Sequence, residues 1–108
     1  WRIEIDGQSI VITGSFNNSK NLVASFAEDA DVLVVSHAIP ENSRGVLRDL
    51  YARPSQLGRI ADQAEARMMI LGHRNVRTRG RESLSRNAIE ENYDGTILFA
   101  NDGECWGL

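Results

Sequence analysis

Cysteine is almost absent from this chain, which has a single one, Cys105, among 108 residues. A lone thiol cannot form a disulfide within the chain, and it cannot build a cysteine-rich zinc site. We therefore interpret Cys105 as a partly buried, small apolar residue.

A surplus of positive charge and a long apolar run are also lacking. The 12 Lys and Arg residues are outnumbered by 15 Asp and Glu residues, which gives a formal net charge of −3. Because domains that bind nucleic acid usually carry a basic surplus, we expect no nucleic-acid partner. No apolar run approaches the length of a membrane span, so we expect no membrane partner. The chain is nevertheless 42% hydrophobic, which is enough for a packed core.

Several catalytic motifs are missing as well. The chain contains no HExxH or CxxC pattern for zinc, and neither of the glycine-rich phosphate loops GxxxxGK[ST] and GxGxxG. A Ser-His-Asp triad could use Ser15 or Ser36 with Asp102. However, the segment ITGSF around Ser15 lacks the second glycine of a nucleophile elbow, so a triad is disfavoured.

What the chain does have is an alternation of strand-like and helix-like segments. Hydrophobic periodicity predicts strands at residues 2–5, 9–13, 32–35, 67–71 and 96–100, with a further short one at 104–106. Helical spacing and caps predict helices from Asn18 or Ser19 to 28, and at 43–51, 54–66 and 82–92. This order predicts an α/β fold with a mixed sheet, mostly parallel neighbours and right-handed crossovers.

Three short segments directly follow the predicted parallel strands: Gly14-Ser15, Ser36-His37 and Gly72-His73. In such sheets, ligands bind where the strands end at their carboxyl edge. We therefore expect a serine and both histidines of the chain to lie along one edge of the sheet.

His73 is the best candidate for a metal ligand, because it should emerge from a buried strand into a loop and neutral imidazole binds metals well. The alternative is a histidine that hydrogen-bonds a backbone carbonyl at a strand end. His37 follows Ser36 in the same way and could be a ligand, an acid or a substrate contact. A structural role at the strand end is the favoured interpretation of His37 from its position alone.

The loop that follows His73 contains four arginines: Arg74, Arg77, Arg79 and Arg81. Arginine pairs bidentately with phosphate, sulfate or carboxylate, so an anion-binding role beside a metal is one hypothesis. A solvated loop that neutralises nearby glutamates such as Glu82 is an equally good alternative.

Five segments, in order along the chain, resemble motifs of metallo-β-lactamase-fold hydrolases. Residues 6–16 (DGQSIVITGSF) are similar to a turn and strand that reads dGksivysGDt in that family. Residues 30–40 (ADVLVVSHAIP), 54–61 (PSQLGRIA), 69–74 (MILGHR) and 93–102 (YDGTILFAND) resemble the strands and helix start that follow. The similarity is greatest to the arylsulfatase-like and ribonuclease-Z-like branch.

The resemblance implies an αβ/βα sandwich of two mixed sheets, with one or two divalent metals, usually zinc, at one edge. A metal-activated water would attack a small phosphate, sulfate or carboxylic ester. By this resemblance His73 would be the last histidine ligand, while Ser15 stands at the position of the metal-bridging aspartate. His37, Arg74 and Arg77 would contact the substrate. Serine is a poor metal ligand beside a carboxylate, so a complete two-metal centre is in question.

The family's main ligand cluster, HxHxDH, belongs to the other half of the fold and does not occur in this sequence. The resemblance therefore implies that residues 1–108 are one segment, the carboxy-terminal half of such a domain. Its open sheet face would pack against a missing amino-terminal half, in the same polypeptide or a separate chain, or against a second copy. The alternatives are a non-catalytic module with a degraded metal centre and an unrelated small α/β binding domain.

Overall fold

A computed structural model describes all 108 residues. The chain forms five strands and four helices. Their bounds are β1 Arg2–Ile5, β2 Gln8–Ile12, α1 Val23–Phe26, β3 Val32–Ser36, α2 Val46–Leu50, α3 Pro54–Gln63, β4 Met68–Gly72, α4 Glu82–Glu90 and β5 Thr96–Phe99. No helix is long and apolar enough to cross a membrane.

The five strands form one mixed sheet in the order β1-β2-β3-β4-β5. β1 and β2 are antiparallel and are joined by Asp6 and Gly7, which both have positive φ (51° and 78°), as a tight hairpin turn requires. β2 to β5 are parallel and adjacent in chain order. Crossovers between adjacent parallel strands are right-handed as a rule, which puts the connecting helices on the same face of the sheet. The expected mixed sheet with helices on one face is confirmed.

The hydrophobic core lies between this helical layer and alternate strand residues. Leu33 and Met69, which are register partners in β3 and β4, are fully buried and belong to one core cluster with Leu57 and Ile60 of α3. Each such side chain contributes about 1.5–3 kcal/mol on burial. This packing holds α3 and α4 against the centre of the sheet.

The opposite face of the sheet carries apolar side chains that no helix covers. Ile3, Ile10, Ile12, Val34 and Leu98 alternate with the core residues and are exposed or only partly buried, and Ile3 and Ile12 are 41% and 38% exposed. The antiparallel and parallel registers align these residues across neighbouring strands. A continuous apolar surface of this kind usually marks an interaction site.

The first helix is shorter than predicted. It covers Val23–Phe26, and neither Asn18 nor Ser19 caps it. Asn18 and Asn21 have positive φ values of 57° and 50°, which are incompatible with a helix that runs through them. The prediction of a helix from residue 18 or 19 to residue 28 was therefore wrong at its amino-terminal end.

The end of the chain also differs from expectation. Residues 101–108 form no strand, so the short strand predicted at 104–106 is absent. Every residue of this segment is exposed, including Cys105, which was expected to be partly buried. The sheet ladder continues only as far as Ala100, whose N–H donates to the carbonyl oxygen of Leu71, and the turn at Asp102-Gly103 then follows, in which Glu104 N donates to the carbonyl oxygen of Asn101 at 3.3 Å.

Candidate functional site

The ends of the parallel strands meet at one edge of the sheet. Ser36, the last residue of β3, is the register partner of Gly72, the last residue of β4. Ser15, which follows β2, has its Oγ 3.4 Å from Ser36 Oγ. His73 comes directly after Gly72. The carboxyl edge thus carries Ser15, Ser36 and His73 on three successive strands.

His73 leaves this edge in an unusual backbone conformation. Its φ is +53°, in the left-handed region that non-glycine residues seldom adopt, although histidine does so more often than most. Such a conformation costs on the order of 1 kcal/mol and is found more often at functional sites. The residue is exposed, and its imidazole forms no hydrogen bond within the chain. His73 therefore has both ring nitrogens available for an external partner.

A pocket of about 660 Å³ opens beside His73. Its lining is almost entirely polar and includes His73, Arg74, Arg79, Glu82, Asn101 and Asp102. Arg79 was considered only as one of the four loop arginines and Asp102 only as a member of a disfavoured triad, and neither was singled out as a ligand or substrate contact. Asp102 follows β5, so the same carboxyl-edge reasoning that selected His73 would have found it if it had been extended to the last parallel strand.

Arg74 connects the walls of the pocket through hydrogen bonds. Its Nη1 donates to Glu82 Oε1 at 2.6 Å, and its Nε and Nη2 both donate to the carbonyl oxygen of Ala100, at 3.2 and 2.7 Å. Nη2 also donates to Asn101 Oδ1, and the side chain is only 12% exposed. Four of the five N–H donors of Arg74 are thus engaged by protein acceptors, and a substrate contact by Arg74 stays a prediction.

Glu82 is held as a carboxylate in this network. Backbone N–H groups, first its own and then that of Gly80, lower the pKa of Glu82, and the Arg74 guanidinium lowers it further against an opposing effect of burial. The charge of Arg74 is therefore balanced inside the pocket wall.

The loop between β4 and α4 is anchored to the segment after β3. Thr78, which is fully buried, donates from Oγ1 to the carbonyl oxygen of His37 at 3.0 Å and accepts a hydrogen bond from Asn75 N at 3.1 Å. Asn75 Nδ2 donates to the carbonyl oxygen of Ala38 at 3.0 Å. Arg77 is exposed on this loop and does not line the pocket. A substrate contact by Arg77 stays a prediction.

His37 lies away from the pocket, beneath α4. Its side chain is buried, with Nε2 2.8 Å from Ser85 Oγ, and its ring centroid lies 5.5 Å from that of Phe99. Burial lowers the pKa of His37 to about 4, while Glu82 opposes this shift and Arg74 adds to it. His37 is therefore neutral near pH 7. This location favours the structural role over a substrate contact, which stays a prediction.

The residues of this chain do not by themselves make a metal site. No group of three or more His, Cys, Asp and Glu side chains is arranged to hold an ion. Zinc sites use about three protein ligands when catalytic. His73 offers one imidazole donor, and Ser15 offers a hydroxyl that is a weak ligand in comparison with a carboxylate. Any ion held at this edge would need further ligands from outside residues 1–108.

Comparison with solved structures shows that the chain has a metallo-β-lactamase-type fold. It is similar to the metallo-β-lactamase fold protein YhfI from Bacillus subtilis, with a TM-score of 0.80 over 97% of this chain and 22% sequence identity. The chain spans only 42% of the length of that protein. No family model matches the sequence, and no curated protein matches it significantly.

Proposed function

We propose that residues 1–108 are the carboxy-terminal half of a metal-dependent hydrolase of the arylsulfatase-like and ribonuclease-Z-like branch, and that His73 is its last histidine ligand. The observation that carries the proposal is the exposed imidazole of His73, held at positive φ where β4 ends beside a polar pocket. A divalent metal, zinc in most proteins of this fold, would supply an activated water when bound in the intact protein.

The substrate in this proposal is a small phosphate, sulfate or carboxylic ester. The pocket lining combines arginine, histidine and asparagine with the carboxylates of Glu82 and Asp102, so it suits a polar ligand better than an apolar one, and the arginines favour a ligand with several hydrogen-bond acceptors. Ser15 would lie at the metal-bridging position, beside Ser36 at the neighbouring strand end.

The partner in this proposal is the amino-terminal half of the fold, on the same polypeptide or on a separate chain. Its docking surface would be the apolar sheet face that includes Ile3, Ile12 and Val34. The greater length of YhfI, of which this chain spans 42%, supports such a second half. A symmetric second copy of this chain is the competing occupant, and the stoichiometry of the purified intact protein would distinguish the two.

A second candidate function is a non-catalytic module whose metal centre has degraded and which serves structure or protein binding. The observation that favours it is Ser15, whose hydroxyl lies 3.4 Å from that of Ser36 where the related hydrolases carry a carboxylate. Two neutral hydroxyls bind a divalent cation much more weakly than a carboxylate does.

Metal analysis of the intact protein, together with ester hydrolysis, tests these alternatives. The hydrolase proposal expects bound zinc or another divalent metal, less metal and no activity in His73→Ala, and higher metal content in Ser15→Asp. Arg59→Ala is the matched control, because Arg59 is exposed on α3, outside the pocket, and is not a predicted site residue. Background metal and activity in both the wild type and Ser15→Asp would favour the non-catalytic module. Unchanged metal content in His73→Ala would remove His73 from the ligand set.

A further inference from the structure

The four arginines of the loop after β4 carry the same charge but have different surroundings. Arg74 donates to Glu82, Ala100 and Asn101, and its side chain is mostly buried. Four of its five N–H donors are therefore already used within the protein. Arg74 positions the pocket wall and has little capacity left for a ligand.

Arg77 and Arg81 are also poorly placed for the pocket beside His73. Arg77 is exposed and does not line it. Arg81 lines a separate groove of about 380 Å³ between Pro40 and Leu84 of α4. Of the four, this leaves Arg79 as the one that lines the pocket without an internal partner.

The backbone of Arg79 is held by a hydrogen bond, whereas its guanidinium has no partner within the chain. Its backbone N–H donates to the carbonyl oxygen of Asn75 at 2.9 Å, next to the fully buried Thr78. The residue is exposed and lines the pocket, yet its side chain forms no hydrogen bond or ion pair within the chain, not even with Asp102 of the same lining. A guanidinium offers five N–H donors in a fork that matches an oxyanion.

We infer that Arg79 is the specificity-determining residue of this pocket and binds an oxyanion group of the substrate. That the bound anion belongs to a substrate rests on the proposed hydrolase function. Anion binding by Arg79 does not depend on catalysis. Glu82 already pairs with Arg74, whereas Asp102 lies in the same lining without an ion pair to Arg79, so the guanidinium donors of Arg79 are the ones left for a ligand. We expect the pocket to select esters that carry a negative charge over neutral ones.

Binding of inorganic phosphate to the intact protein tests the anion site without any need for activity. The protein is first stripped of metal with EDTA, so that phosphate cannot be held by an ion, and binding is followed by NMR titration. We expect Arg79→Gln to weaken phosphate binding at least about tenfold, and the matched control Arg59→Gln, at an exposed position of α3 outside the pocket, to change it less than about twofold. Unchanged thermal melting of both variants shows that they are folded.

Hydrolysis by the metal-loaded intact protein then tests selectivity. We expect Arg79→Gln to raise KM for 4-nitrophenyl phosphate by about tenfold or more, with little change in KM for the neutral 4-nitrophenyl acetate. If neither ester is cleaved by the wild type, the hydrolase proposal fails, but the phosphate titration still decides the anion site. The inference about Arg79 is overturned if wild type binds no phosphate, or if both variants bind it as the wild type does.

Discussion

His37 Nε2 lies 2.8 Å from Ser85 Oγ, so a buried hydrogen bond joins the end of β3 to the inner side of α4. The other ring nitrogen, Nδ1, is buried without a partner. A proton added to this ring would place a charge in the contact between sheet and helix. The neutral ring is therefore part of what holds α4, and with it one wall of the pocket, in place.

This arrangement predicts that the protein loses stability in mild acid. The folded pKa of His37 is about 4 and its ordinary value is 6.5, so the unfolded state binds a proton more readily between these two values. The stabilisation is complete above pH 6.5 and is lost as the pH falls towards 4. We expect the free energy of unfolding to drop by roughly 3 kcal/mol over this window. Urea denaturation at a series of pH values measures it.

The control for this prediction is His37→Gln, which keeps a polar side chain near Ser85 but cannot titrate. Its stability should change less across the same pH window. An equally large loss in the variant would mean that other groups account for the acid sensitivity.

A second prediction concerns Arg74, which holds the pocket wall by donating to Glu82, Ala100 and Asn101. Arg74→Met keeps much of the side-chain volume but removes every donor and leaves the Glu82 carboxylate without its partner. We expect the free energy of unfolding to fall by about 1–3 kcal/mol. Amide exchange in residues 100–104 should become faster as well, because Asn101 loses one of its anchors. Arg77→Met, on the exposed part of the same loop, should leave both measurements unchanged.

A third prediction concerns Gly58, where α3 passes close to α4. A Cβ atom built at this position would lie 2.5 Å from the carbonyl oxygen of Ile89, which is backbone and cannot rotate away. Alanine has the better helix propensity by about 1 kcal/mol, yet the clash should dominate, and we expect Gly58→Ala to destabilise the protein by about 1–3 kcal/mol. Gly72→Ala, with no atom within 4 Å of the added Cβ, is the matched control. Equal thermal melting of the two variants would contradict the proposed close contact.

The order of the main elements could be predicted because each depends on local pattern. The β-branched run before Ser36 and the apolar run before Gly72 predicted buried strands, and the structure has β3 and β4 at these positions. Pro54 was expected at the start of a helix and is the first residue of α3. The first helix was harder, since its predicted cap depended on residues near Asn18, whose positive φ belongs to a loop conformation that periodicity does not reveal.

Local pattern could identify site residues only by their place along the chain. His73 and Ser15 were selected because strands end beside them, and the register brings those ends to one edge. The same reasoning could not show that His37 turns inward under α4. Its partner Ser85 lies 48 positions away in the sequence, and nothing in either local segment indicates that they meet.

The sequence by itself determined the strands and helices that were predicted correctly. It also determined that His73 directly follows a buried strand, because strand positions follow from the spacing of apolar residues over a few positions. Only the tertiary structure decided which arginine side chain is hydrogen-bonded within the chain and which is free to bind a ligand. Arg74 and Arg79 have identical chemistry in one loop, but folding brings Ala100 and Asn101, from beyond β5, against the first and leaves the second facing the pocket. The physical reason is that the charge belongs to the residue, whereas its neutralisation depends on acceptors that are distant in the sequence and near only in the folded chain.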